Sequence, residues 1–192
     1  MHKISLVAVG AILLVGCGDK GDFEKTINKE ISKEPVCYSF NTKENNSDAY
    51  ESFSEPGVFV RVNVRGNDVS PILEGLKKSG LIDIEFEQQG FTRVAALSAT
   101  DKGAKAKFWD KEHGACVGTR TVDEIKEWTE PSDAGGQKVT RVSYTWKLSD
   151  IPSWVDKDAF SSVKGVSESE EAKIILVKTN NGWAIRYLQE KL

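Results

Sequence analysis

The chain reads as an α+β protein: an N-terminal helix, a helix-plus-hairpin lobe, and a tryptophan-rich antiparallel sheet in the C-terminal half. Three observations predict this. Phe23, Ile27 and Ile31 recur every four residues, the spacing of one helix face. Ser70-Pro71 opens a short apolar-faced segment that stops at Gly80, and two strand-like runs joined through Gln88-Gln89-Gly90 follow it. Four of the five tryptophans lie at or after Trp128, among segments with period-two alternation.

Each element has its own signals. Asp22 can cap a helix beginning at Phe23, and Pro35 ends it. Val36 to Phe40 is rich in β-formers and reads as a strand, and Asn41 to Glu55 as a polar loop. After the Pro56-Gly57 turn, Val58, Val60, Val62 and Val64 share one side of the next strand. Ser70 is then an N-cap, Pro71 the first helical residue, and Ile72, Leu73 and Leu76 the apolar face. Lys77 and Lys78 sit in the last turn, where the helix dipole favours cations. Leu81–Phe86 and Phe91–Leu97 form the hairpin, and Thr100–Phe108 a short helix.

The second half is read more unevenly. Val122, Ile125 and Trp128 fit a helix about as well as a bulged strand. Pro131–Gly136 is a loop. Val139–Leu148 is a strand with Val142, Tyr144, Trp146 and Leu148 on one face. Pro152-Ser153-Trp154 starts a turn or short helix toward Phe160, and Lys164–Glu171 is a charged loop. Ile174–Val177 is a buried strand, and Asn180-Asn181-Gly182 turns it back into Trp183–Leu188.

The first residues carry a different message. Lys3 gives a positive start, and Ile4 to Val15 is an apolar run too short for a bilayer, which needs roughly 20 residues. The run closes on Leu14-Val15-Gly16-Cys17. This stretch resembles a bacterial lipoprotein signal with its lipobox. The resemblance implies cleavage before Cys17, a diacylglyceryl thioether on Cys17, and a further acyl chain such as palmitate on the new amine. The competing reading is an ordinary secretory signal with an incidental cysteine. By the sorting pattern of such lipoproteins, Gly18 after the cysteine favours the outer membrane and its periplasmic face, although Asp19 stands one place on. The expected organisation is a leader over 1–16, a lipidated tether over 17–21, an α+β lobe over 22–110 and a tryptophan-rich β lobe over 111–192.

Composition bounds the rest. The formal charge is −3, and loss of Lys3 with the leader makes it −4, a mildly acidic balance with no nucleic-acid footprint. With Cys17 assigned to lipid, Cys37 and Cys116 remain. Either they form a disulfide, which export to an oxidising compartment makes the default, or they stay as two buried thiols.

Two further resemblances concern shape. Leu76-Lys77-Lys78-Ser79-Gly80-Leu81-Ile82, followed by Leu97-Ser98-Ala99-Thr100-Asp101-Lys102-Gly103, resembles the helix-and-wing half of winged-helix regulators. Two residues separate Leu97 from Thr100, where that pattern has none. The resemblance implies a winged-helix-like helix-plus-hairpin lobe and not DNA binding, which needs a cytoplasmic protein with a basic face. The span from Gly114 to Trp183 is similar to a set of uncharacterised proteobacterial lipoproteins through Ala115-Cys116-Val117-Gly118, Trp128-Thr129-Glu130-Pro131, Val142-Ser143-Tyr144-Thr145-Trp146, Trp154 and Asn181-Gly182-Trp183. It implies no catalytic residues.

Chemistry is sparse. His113 is the one histidine outside the leader, which is too few for a usual metal site, and no cofactor loop or nucleophile elbow is present. Asp123, Glu124, Glu127 and Glu130 cluster around Trp128, as acids and aromatics do in many carbohydrate sites, and two carboxylates at the right separation could cleave a glycan. Trp128, Trp146, Trp154 and Trp183 could form a binding surface if exposed, or the core of a small sheet if not. The reading favoured here is a non-catalytic binding domain. It is held at the membrane by its lipid and faces an envelope protein or peptidoglycan, with a periplasmic glycan-acting enzyme as the alternative.

Overall fold

Helix α1 spans Cys17–Ile31 in a computed structural model that describes residues 17–39 and 53–186. The leader before Cys17, Phe40, most of the loop read over Asn41–Glu55, and the residues after Arg186 lie outside the described residues. The helix starts six residues before Phe23. The segment read as a tether, 17–21, is therefore helical, with Asp19 in the first turn where the helix dipole favours a carboxylate. The architecture is α+β, with every strand pairing antiparallel.

A seven-stranded sheet runs in the order β1-β6-β8-β9-β10. Its path strands are β1 (Pro35–Tyr38), β6 (Gly114–Trp128), β8 (Gln137–Ser149), β9 (Glu170–Thr179) and β10 (Gly182–Ile185). Short strands β5 (Trp109–Asp110) and β7 (Ser132–Ala134) pair with β6 and β8. Helix α1 and strand β1 thus complete a sheet built mostly after residue 111, so the chain does not divide cleanly at residue 110. Residues 132–134, read as loop, form a strand because Gly135 and Gly136, with φ of 65° and 80°, make a two-residue hairpin turn.

Strand β6 resolves the ambiguity around Val122. Its register against β8 shifts between Val122 and Glu124 and again between Ile125 and Glu127. Each β-bulge inserts one residue, so inward side chains recur every three positions instead of two. Val122, Ile125 and Trp128 therefore oppose Trp146, Tyr144 and Val142, all on one face. That face is covered by α1, whose fully buried Phe23 and Ile27 pack with Val122, Ile125, Val142, Tyr144 and Leu176. The N–H of Val122, at the first bulge, donates to the Asn28 side-chain oxygen at 2.7 Å, so the helix satisfies a backbone group at the irregularity.

The second sheet has the order β2-β4-β3, from β2 (Phe59–Val64), β3 (Ile82–Gln89) and β4 (Thr92–Ala99). Helix α2 (Pro71–Lys78) precedes the hairpin and α3 (Asp101–Ala106) follows it. Ser70 caps α2 by accepting from the Leu73 N–H, and Pro71 occupies the first turn. Thr100 caps α3 by accepting from the Gly103 N–H at 3.0 Å, while its hydroxyl donates to Gly80 O at 2.7 Å. Val94 to Leu97 are buried on both faces of β4. On the solvent side, Arg61 of β2 reaches across to Glu87 of β3 at 2.9 Å and roofs the strand between them. The core of this lobe continues into the large sheet through Ala115, Val117 and Leu148, and Trp146 packs against both cores.

Replacing Phe23 with Ala should cost about 3–5 kcal/mol in equilibrium denaturation, the range for truncating a buried Phe. It should also red-shift the emission of the tryptophans it packs against. An unchanged midpoint would mean that α1 does not contribute to the core.

Candidate functional site

Cys37 and Cys116 are disulfide-bonded, with Cα atoms 3.8 Å apart and a separation of 79 positions in sequence. They are direct partners in the β1–β6 ladder, so the bond staples the edge strand to its neighbour in the sheet. In the chain-entropy model a loop of this size contributes about 4 kcal/mol.

The four nominated tryptophans are half-buried and engaged by the cores. Trp128 and Trp183 meet Phe23 edge-on at 5.7 and 5.2 Å between ring centroids. Trp154 lies between Phe108 and Phe160, at 6.2 and 5.9 Å. Trp146 carries the Arg120 guanidinium 5.3 Å above its ring, and Gly165 lies so close that a Cβ there would sit 2.5 Å from the indole. These rings seal cores and do not form an exposed patch. The exposed large apolar residues among those described are Phe59, at 44% exposure, and Phe91, fully exposed beside the β3–β4 turn.

The nominated carboxylates are exposed and do not act together. Asp123 accepts from Lys147 at 2.6 Å and from the Ser169 hydroxyl at 2.8 Å, and both hold its carboxyl below the usual range. Lys126 does the same to Glu124. A general acid needs the opposite shift. Glu127 accepts from Ser143 at 3.4 Å, and Glu130 is exposed in the turn after β6. His113 is exposed, with Nδ1 2.8 Å from Asp110. The backbone N–H groups of Glu112 and His113 and the His113 ring keep the Asp110 carboxyl low. Among the described residues no three His, Cys, Asp or Glu side chains are grouped to hold a metal ion.

The feature that sequence reasoning missed lies on the sheet face opposite α1. No helix covers this outer face among the described residues. Two clefts of about 330 and 240 Å³ adjoin there, and Arg141 and Thr129 line both. The larger has an aliphatic floor of Val139 and Ile175 with Ser132 at its rim. The smaller is mainly polar, with Glu127, Ser143 and Lys173, and Trp128 at its wall. Alternation along β8 hinted at this polar face, since Arg141, Ser143 and Lys147 occupy the odd positions. The clefts themselves exist because β6 stops at Trp128 and β7 resumes pairing only at Ser132, and that gap is not legible without the register.

Comparison with known protein families, with curated proteins and with solved structures finds no match to this chain.

Replacing both Cys37 and Cys116 with Ser should lower unfolding free energy by about 4 kcal/mol, and reductant should have no effect on the variant. The acid side of the stability profile follows from Asp110, Asp123 and Asp156. Asp156 is held low by the N–H groups of Ala159 and Asp158 and by Lys78. A carboxyl with a depressed folded pKa adds stability that is complete above its unfolded value, about 3.9, and is lost as pH falls through the folded value. The denaturation midpoint should therefore hold steady down to about pH 5 and fall below about pH 4. Asp156→Asn should make that fall shallower; an unaltered slope would remove Asp156 from the account.

Proposed function

We propose that the chain is a lipid-anchored envelope protein whose folded part binds a partner without catalysis. The observation that carries this reading is the junction at Cys17. The lipobox-like Leu14-Val15-Gly16-Cys17 runs directly into a helix that begins at Cys17 and is clamped to the large sheet from Phe23 onward. Six helical residues span roughly 9 Å, so acyl chains on Cys17 would hold the domain against the bilayer. Two or three such chains suffice for stable attachment without a spanning helix. Gly18 after the cysteine supports the outer membrane and its periplasmic face. Confinement to a surface raises effective concentration near envelope partners such as a protein or peptidoglycan, so weak contacts can serve.

The winged-helix likeness belongs to this reading as shape alone. The order β2-β4-β3, with α2 ahead of the hairpin, supports it. The acidic face of β3, with Asp83, Glu85 and Glu87 pointing outward, suits no nucleic-acid backbone. Glycan cleavage, the alternative from sequence, draws no support from Asp123 and Glu124, which are ion-paired to lysines.

Intact mass of protein extracted from its native membrane should correspond to a chain starting at Cys17 plus a diacylglyceryl group. Cys17→Ala should release the protein from the membrane fraction. A membrane-bound Cys17→Ala, or an unmodified mass cut elsewhere, would overturn the anchor.

A further inference from the structure

The outer face of the large sheet has two electrostatic halves. In one, Lys147 is paired with Asp123 and Lys126 with Glu124, and Glu171 of β9 adds a carboxylate beside Lys126. In the other, the register places Arg141 opposite Ile175 and Ser143 opposite Lys173. The N–H of Arg186 donates to Ile175 O at 2.9 Å, which brings a third cation to the same row. Trp183 and Ile185 pack on the inner core, so strand alternation turns Arg186 outward. Among the described residues Arg141, Lys173 and Arg186 enter no salt bridge. Three like charges around an aliphatic floor repel one another, and a bound anion relieves that repulsion.

We propose that this cleft binds the C-terminal carboxylate of a peptide. The Arg141 guanidinium takes the carboxylate, Lys173 and Arg186 add charge from either side, and the last aliphatic side chain rests on Val139 and Ile175. Three observations choose this chemistry. A guanidinium fork matches the two oxygens of a carboxylate, whereas a lysine offers only a point charge. The floor of the larger cleft, where the last side chain would rest, is aliphatic and small, and the one tryptophan at the site, Trp128, lines only the smaller cleft with its ring edge-on to Phe23 rather than laid open as the platform on which sugars stack. Glu127 closes the far end. It lies in one row with Ser143 and Lys173, about 10 Å from Lys173 across two strand spacings. It forms no salt bridge with Lys173, and it repels an anion from that side.

This inference deepens the binding reading by naming a ligand class, and it is independent of the anchor. Loss of the Cys17 result leaves the titration below intact, and the reverse holds too. The test is isothermal titration calorimetry of the full-length protein in nonionic detergent with N-acetyl-Ala-Ala, its C-terminal amide, and inorganic phosphate. The acid should bind with a dissociation constant on the order of 1 mM or tighter, and the amide at least about tenfold more weakly. Arg141→Gln and Lys173→Gln should each weaken the acid several-fold with the thermal midpoint unchanged. Lys147→Gln, in the ion-paired half, should leave binding as it was. Equal binding of acid and amide would overturn the proposal, as would wild-type affinity in Arg141→Gln or no heat from the acid at 20 mM (roughly twentyfold above the expected constant). Phosphate binding tighter than the acid would also overturn it, in favour of a general anion site.

Discussion

Two β-bulges in β6 decide which side of the large sheet is dry. Without them, Val122, Ile125 and Trp128 would alternate between faces, because three is an odd step along a strand. With one extra residue inserted at each step, all three point toward α1. The helix then has a continuous apolar bed, and Phe23 can sit between Trp128 and Trp183. The polar edge of α1 answers the same irregularity. Asn28 accepts from Val122 N–H and Thr121 Oγ1, and Thr26 donates to Trp183 O at 3.4 Å on β10. Thus the bulges fix the position of the helix, and the helix holds the edge strand β10 against the body.

The same bulges shape the outer face. A bulge splays the residues it inserts, and Asp123 and Lys126 are the residues that the register skips. Their side chains meet Lys147 and Glu124, which ion-pairs that half. Past Trp128 the strand ends, Thr129 keeps one backbone bond to Arg141 O, ladder pairing resumes at Ser132, and the unpaired cations lie beside the resulting clefts. Dry core, ion-paired half and cationic half are consequences of one strand's irregular spacing.

This explains what could be read from the residues alone. The helix at Ser70-Pro71, the hairpin around Gly90, the strand from Val139 and the turn at Asn180-Asn181-Gly182 were legible, because each depends on local backbone preferences or on an unbroken period of two. The disulfide was legible as a pairing, since only two cysteines remained to pair once Cys17 was set aside. The stretch from Gly114 to Trp128 was not. A step of three between apolar residues is shared by a helix face and a doubly bulged strand, and only the partner strand separates them. The outer clefts were illegible for a related reason: Arg141 lies on a strand distant in sequence from Lys173, and Arg186, just past the β9–β10 hairpin, meets them only through register. The tryptophans stayed open between surface and core because a ring at a sheet edge and a ring over a helix have the same sequence signature.

The N-terminal segment is secured by unlike means at its two ends. Near its start, α1 is held by burial of Phe23 and Ile27, a non-directional attraction that weakens as the helix is drawn off the sheet. Near its end, β1 is held by the Cys37–Cys116 bond and by backbone pairing to β6. Both attachments converge on β6, one at its bulged half and one at its start. A chain suspended from Cys17 would load α1 first, and the load would pass through Ser32 and Pro35 to the covalent staple before reaching the second sheet. Peeling the helix would expose the apolar face of Val122, Ile125 and Val142, yet the sheet would stay joined to its edge through the disulfide. The arrangement separates two tasks. Packing sets the position of α1 on the sheet, and the covalent bond keeps the segment attached to its fold when packing is strained.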